Sequence, residues 1–294
     1  MNQVDRLTSL EFGLPSLVLM ENAGINLYWV LTEYFANLQD QRIAIICGKG
    51  SNGGDGLVLA RQLTYRANAP QVYLVGKRKD VSGDARVNLE AYLKSGGNII
   101  EITTPKKWDS IKEIFGSYNI IVDALLGTGI NAPLKGLYSD IVSTINTVQT
   151  FILSVDIPSG MFPNAFLGNT KTVQADVTVT FSTPKVAHIL NEAQEAIGDL
   201  RIVTIGNPSQ LMEKSEHYLN LMTREEIYSY LPIRKTSTHK GHLGHVAIVS
   251  GSRGKSGAAV LSGIAALRTG SGLVTLYTPS AIQDVTASFQ PELM

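Results

Sequence analysis

The chain has 294 residues, 25 Lys+Arg against 25 Asp+Glu, and a single cysteine. One cysteine excludes an intrachain disulfide and with it a stapled secreted domain, and a formal net charge of +0 argues against broad electrostatic binding of nucleic acid. Apolar residues make up 44%, charged residues 17%, and there are 27 glycines, a globular composition with ample core. At ~100–200 residues per domain, the length implies one large domain or two modest ones. No apolar run approaches the ~18 residues needed to cross a membrane. The opening MNQVDRLTSLEF lacks the basic start and apolar stretch of a signal peptide. A cytoplasmic protein with no nucleic-acid or membrane partner is expected.

In chain order, apolar spacings of three and four predict a helix over Asn26–Leu38, fed by a turn at MENAG. Ile43–Cys47 is a short continuous apolar run, the mark of a strand buried on both faces. A glycine-rich loop follows from Gly48 to Gly54, and Leu57–Leu63 resumes helical spacing. The alternation continues with strands at Gln71–Val75, Asn98–Ile102, Asn119–Asp123 and Phe151–Val155, and helices at Ala85–Lys94, Trp108–Phe115 and Tyr138–Thr147. Two more strands are expected at Ala175–Phe181 and Arg201–Ile205. Such alternation predicts a mainly parallel sheet with helices on both faces, whose ligand lies beyond the carboxyl ends of the strands. From Asn207 to Thr238 the pattern weakens around Pro208, Pro232 and a helix candidate at Arg224–Tyr230, as in a linker. A second unit then begins, with a strand at His245–Ser250, a helix at Ala258–Thr269 and a strand at Leu273–Thr278. That is one βαβ unit, the start of a domain rather than a whole one, whose uncovered apolar edges predict poor order after about residue 235.

Three loops carry the chemistry. The first satisfies G-x-G-x-x-G at Gly48, Gly50 and Gly53. Its glycines let backbone N–H groups approach phosphate oxygens at a helix N-terminus. The acid that should end the second strand of a dinucleotide site is missing, since Val75-Gly76-Lys77-Arg78 stands there. The basic pair suits either a 2′-phosphate or a solvated loop. Asn52 and Asp55 add oxygens that a bare pyrophosphate cradle does not use, although Asp55 also suits a helix cap. In the second loop, VDALLGTGINAPLKG, a strand delivers Asp123 to a tight turn at Gly127-Thr128-Gly129. The third, SVDIPSG, places Asp156 beside Ser159. Together they suggest a polar crevice whose oxygen-rich, sulfur-poor lining suits a hard cation such as Mg²⁺ or K⁺ rather than zinc. Lys185 reads as a phosphate anchor, a proton-transfer partner or an ordinary exposed lysine. His239, His242 and His245 are interrupted by glycines and do not read as a metal site; Cys47 reads as structural.

In their order LMENAG (19–24), GKGSNGGDGL (48–57), VDALLGTG (122–129), SVDIPSG (154–160) and TFSTPK (180–185) resemble the motifs of the NAD(P)H-hydrate epimerase family, the YjeF N-terminal domain, over residues 1–215. Residues 239–294 resemble the opening of an ADP-dependent NAD(P)H-hydrate dehydratase, a ribokinase-like domain, with residues 216–238 as a linker. The resemblance implies a Rossmann-like three-layer αβα domain followed by an incomplete ribokinase-like βαβ unit. The implied activity is isomerase chemistry: epimerisation of the R and S forms of hydrated NAD(P)H in nucleotide repair. Alternatives are an NADP-dependent oxidoreductase and a non-catalytic nucleotide- or protein-binding module. Substrate-binding residues would be Ser51, Asn52, Gly53, Gly54 and Asp55, then Gly127, Thr128, Gly129, Ile130, Asn131, Ala132 and Pro133, with Asp156 at the nicotinamide ring. Asp156 and Lys185 would be catalytic, and Asn52, Asp123 and Ser159 would hold K⁺. Ser51 stands where the family usually has Asn, and Val186-Ala187 where it tends to glycine. ADP and Mg²⁺ would serve only a complete dehydratase domain, and a homodimer would form through the region of LMENAG.

Overall fold

The computed structural model describes residues 2–164, 171–189, 194–214, 219–231 and 233–294. The chain divides into two compact units, Met1–Glu216 and His217–Met294. The first opens with α1 (Asn2–Glu11) and α2 (Ser16–Tyr34). Then come β1 (Ile43–Cys47), α3 (Ser51–Arg66), β2 (Gln71–Val75), α4 (Gly83–Lys94), β3 (Ile99–Ile102) and α5 (Pro105–Asp109). The second half runs through β4 (Ile120–Ala124), α6 (Leu137–Ile145), β5 (Phe151–Val155), β6 (Val177–Phe181), α7 (Val186–Ile189), α8 (Gln194–Ile197), β7 (Asp199–Val203) and α9 (Ser209–Lys214).

The seven strands form one sheet in the order β3-β2-β1-β4-β5-β6-β7, parallel throughout. The order reverses between β1 and β4, where Ile45 faces Val122 and Cys47 faces Ala124. Adjacent crossovers leave the sheet on opposite sides there, which opens a crevice beyond the strand ends. Along β1 the side chains alternate between two cores. Ile43, Ile45 and the fully buried Cys47 pack with Leu27, Leu31, Leu59 and Leu63 of α2 and α3. Ala44 and Ile46 pack on the other face with Trp108, Phe115 and Ile141. Burial of each large aliphatic side chain contributes about 1.5–3 kcal/mol, so a strand apolar on both sides is held in the sheet centre.

Three expectations about local structure are corrected. MENAG is not a turn but lies inside α2. Gly24 lets α2 lie against α3, since a Cβ there would sit 2.3 Å from Val58 Cγ1. The helix expected over Trp108–Phe115 is two pieces, α5 and a 3₁₀ segment at Lys112–Ser117. Thr104 caps α5 and Ser110 Oγ donates to Lys107 O at 2.7 Å, while both aromatics still reach the core. The first glycine loop is shorter than expected, because α3 starts at Ser51 and takes Gly53, Gly54 and Asp55 into its first turns.

In the second unit, α10 (Arg224–Tyr230) is closed by a capping box, Thr223 with Glu226. β8 (His245–Val249) and β9 (Leu273–Tyr277) pair in parallel, joined by α11 (Ser256–Thr269), and α12 (Gln283–Ala287) follows. Ala259, Val260, Val274 and Ile282 are buried. Val249, Leu261 and Tyr277 are 84%, 68% and 57% exposed, so much of this unit's apolar surface faces outward.

Candidate active site

The site is built on the carboxyl ends of β1, β4, β5 and β6. After β1 the chain turns at Gly48, whose N–H donates to Ala124 O at 2.9 Å. A Cβ at Gly48 would fall 1.9 Å from Leu125 O, and one at Gly53 would fall 2.0 Å from Gly48 O. Glycine is therefore required where the first loop, the α3 N-terminus and the β4 loop come together.

Asp123, fully buried near the end of β4, fastens the next loop pair. Its Oδ2 accepts from Ser154 Oγ (3.0 Å) and Ser159 N (2.8 Å), and its Oδ1 from Ser159 Oγ (2.6 Å) and Leu125 N (3.3 Å). Burial raises this carboxyl above its ordinary value and the four donors oppose the rise. Ser159 Oγ also accepts from Leu126 N at 2.8 Å. Asn52, at the start of α3, packs beside Gly127, with Oδ1 3.2 Å from where a Cβ would stand. Its buried Nδ2 has no partner among the described residues. Because amide N and O are assigned by network rather than seen, the end of the Asn52 amide that has no partner among the described residues can present an oxygen. Carboxylate, hydroxyl and amide make an oxygen donor set of the kind that suits a hard cation. No group of three or more His, Cys, Asp or Glu poised for a metal occurs among the described residues.

Asp156 ends β5 in a left-handed conformation, φ 63°, sparsely populated for a residue with a side chain and least costly for Asn and Asp. That turn aims its carboxylate at β6. Oδ1 forms an ion pair with Lys185 Nζ and accepts from Thr180 Oγ1 at 3.1 Å. Lys185 is buried, and its Nζ also donates to Thr180 Oγ1 at 2.7 Å, so the exposed-lysine reading is overturned and its charge is committed to Asp156. Behind it, His188 Nδ1 accepts the Lys185 backbone N–H at 3.2 Å. Burial, and then the Lys185 charge, push the His188 imidazole down to about 4, so it is neutral at physiological pH.

A cavity of about 740 Å³ joins these parts. Of the expected residues, Ser51, Asn52, Asp55, Gly127 through Ala132, Asp156 and Lys185 line it. Gly53, Gly54, Pro133, Asp123 and Ser159 do not; the two glycines serve close packing instead, Gly54 against Met20. Lys77 and Arg78 are not among the residues lining it; the Arg78 side chain pairs with Glu101 at 3.7 Å and donates to Ile99 O at 2.7 Å. Asp55 is deeply buried, and burial followed by the charge of Asp156 holds its carboxyl well above the usual range.

Sequence reasoning missed Asp5, Lys49 and Asp84, which also line the cavity. Lys49 lay inside a recognised motif, between Gly48 and Gly50, whereas Asp5 and Asp84 had no local signal. LMENAG contributes Leu19, Met20 and Ala23 to the wall, and Glu21 is tied to Arg61 and Gln62 of α3.

Fold and site together define a three-layer parallel α/β domain with a cavity beyond the strand ends, at the reversal of strand order. The sequence profile of the YjeF-related protein N-terminus matches residues 16–187, and the chain belongs to that family. It is 37% identical over 295 aligned residues, 100% of this chain and 56% of the relative, to the bifunctional NAD(P)H-hydrate repair enzyme Nnr of Moorella thermoacetica. Its likeness to the protein of the same name from Thermofilum pendens is 33%, over 99% of this chain and 54% of that one. The chain thus spans about half the length of these relatives. A yeast crystal structure shares the fold with a TM-score of 0.60 at 21% identity, covering 76% of this chain and 95% of that one. No helix among the described residues is long and apolar enough to cross a membrane.

Proposed function

We propose that the first unit epimerises the R and S forms of hydrated NAD(P)H. The observation that carries this reading is the buried Asp156–Lys185 pair at the edge of a cavity walled by glycine-rich loops, in a chain of this family. The hydrated ring carries a hydroxyl on a carbon next to the ring nitrogen. Such a centre inverts by proton transfers alone, without net redox change. Asp156 serves as the acid–base group. Lys185 pairs with its carboxylate and orients it, and Thr180 fixes the pair. The loop amides of Gly127 to Ala132 and the α3 N-terminus receive the phosphates.

The same proposal has Asn52, Asp123 and Ser159 hold a potassium ion, whose charge orients the anionic substrate. It also includes a homodimer and a cytoplasmic setting. ADP and Mg²⁺ belong in it only to a complete dehydratase domain, for which residues 239–294 supply the opening strand, helix and strand. The test mixes R and S hydrates with the purified chain and follows their interconversion chromatographically. Wild type should equilibrate them, and Asp156→Ala should be slower by about 10²–10⁴-fold. Interconversion by Asp156→Ala at the wild-type rate overturns the assignment.

A further inference from the structure

We propose that Asp5, carried by α1 outside residues 16–187, is a second proton-transfer carboxylate of this site, partnering Asp156 in the inversion. The proposal rests on the epimerase reading and deepens it. Asp5 lines the same cavity as Asp156 and Lys185 but arrives on an unconnected element. Its position is fixed from outside its own helix: Asn207 Nδ2 donates to Asp5 Oδ1 at 3.0 Å and lies 3.0 Å from Thr8 Oγ1. Asn207 is held in turn by Ser182, whose Oγ donates to Asn207 Oδ1 at 2.7 Å. Ser182 has φ 64°, the other non-glycine residue at positive φ among those described, three residues before Lys185. The same loop therefore anchors both Lys185 and the Asp5 tether. Neither Asp5 Oδ2 nor Asp156 Oδ2 takes a hydrogen bond among the described residues, so each carboxylate keeps one oxygen for a ligand. Burial raises the Asp5 carboxyl above its ordinary value, with Asn207 and Lys185 opposing and Asp156 adding to the rise, which suits a group that must hold a proton as well as release one.

Inversion at a carbon bearing hydroxyl and ring nitrogen has a natural use for two such groups. One carboxyl protonates the leaving hydroxyl; the C–O bond breaks with its electron pair on oxygen, water departs, and the nitrogen lone pair forms C=N⁺. A second water adds from the opposite face, the C=N⁺ pair returns to nitrogen, and the other carboxylate takes the proton released by that water. One group ends protonated and the other deprotonated, and solvent resets them. With a single carboxylate, water can leave and return only on one face.

The experiment measures inversion together with uptake of ¹⁸O from labelled water into each epimer. Asp5→Asn keeps an amide oxygen to accept from Asn207, so the tether persists while the proton capacity is lost. Asp5→Asn should lower kcat for inversion about 100-fold or more with KM within about threefold. It should still exchange ¹⁸O into one epimer, and Asp156→Asn into the other. Inversion by Asp5→Asn within about threefold of wild type overturns the proposal. Parallel loss of inversion and of exchange in both epimers does so too, because that is the signature of a structural role. If Asp5→Asn does not fold, Asp5→Ala with added formate decides: restored inversion supports the proposal and no rescue refutes it. Failure of wild type to interconvert the hydrates sinks the epimerase reading itself, a different result.

Discussion

Lys185 and His188 are three residues apart and both buried, yet they have different polar partners. Lys185 faces the Asp156 carboxylate, whereas the His188 imidazole has only a backbone N–H against its Nδ1 and loses its proton. Lys185→Met would strand the Asp156 carboxylate in a mostly buried position, at a cost of about 3 kcal/mol. A lower urea midpoint and at least a ~100-fold drop in epimerase kcat are expected. His188 makes stability depend on pH. Its unfolded value is near 6.5 and its folded value about 4, so between them the unfolded chain binds more protons and stability falls as pH drops. The effect amounts to about 3 kcal/mol when complete. Asp5, Asp55 and Asp123, raised by burial, push the other way, so the measurement is the difference between wild type and His188→Gln. The variant should show a shallower loss of stability between pH 6.5 and pH 4; an identical slope in urea titrations at both pH values would refute the assignment.

At the scale of elements, the contact between the first loop and α3 is set by missing side chains. Gly53→Ala puts a methyl 2.0 Å from Gly48 O, an overpacking that costs about 1–3 kcal/mol. Gly50→Ala meets nothing within 4 Å and should change stability by less than ~0.5 kcal/mol. Chemical denaturation of the two variants separates a packing constraint from a general need for glycine. The strands were legible because buried parallel strands are written as short apolar runs: β1, β2 and β5 have the boundaries that those runs predict. Asp123 and Asp156 were legible because an acid ending such a run stands out. α1 was not, since NQVDRLTSLE has only three apolar residues, Val4, Leu7 and Leu10, and is held partly by Asn207, 202 residues from Asp5. Lys185 stayed ambiguous because its burial comes from Asp156 and Thr180 rather than from its neighbours in the chain.

The whole molecule has two compact units, of which the second buries Ala259, Val260, Val274 and Ile282, so a single melting temperature will not describe it. Calorimetry should resolve two transitions. Leu153→Ala, which removes a fully buried side chain from the first unit, should lower only the first unit's transition, by about 2–5 kcal/mol. Movement of both together would show one cooperative unit. In α10 no residue is buried and Tyr230 is 79% exposed. Brief chymotrypsin treatment should therefore cut near Tyr228 and Tyr230 before it cuts the sheet, releasing a fragment that keeps whatever epimerase activity the whole chain shows.

The solitary Cys47 gives this molecule a built-in clock. It is fully buried at the end of the central strand, and burial pushes its thiol far up. A thiol reagent therefore has no target until β1 separates from its neighbours. The chain carries no second cysteine to blur the signal. The labelling rate, read without mutation or added dye, times how often the heart of the sheet opens, and ligand that closes the crevice beside Gly48 should slow it.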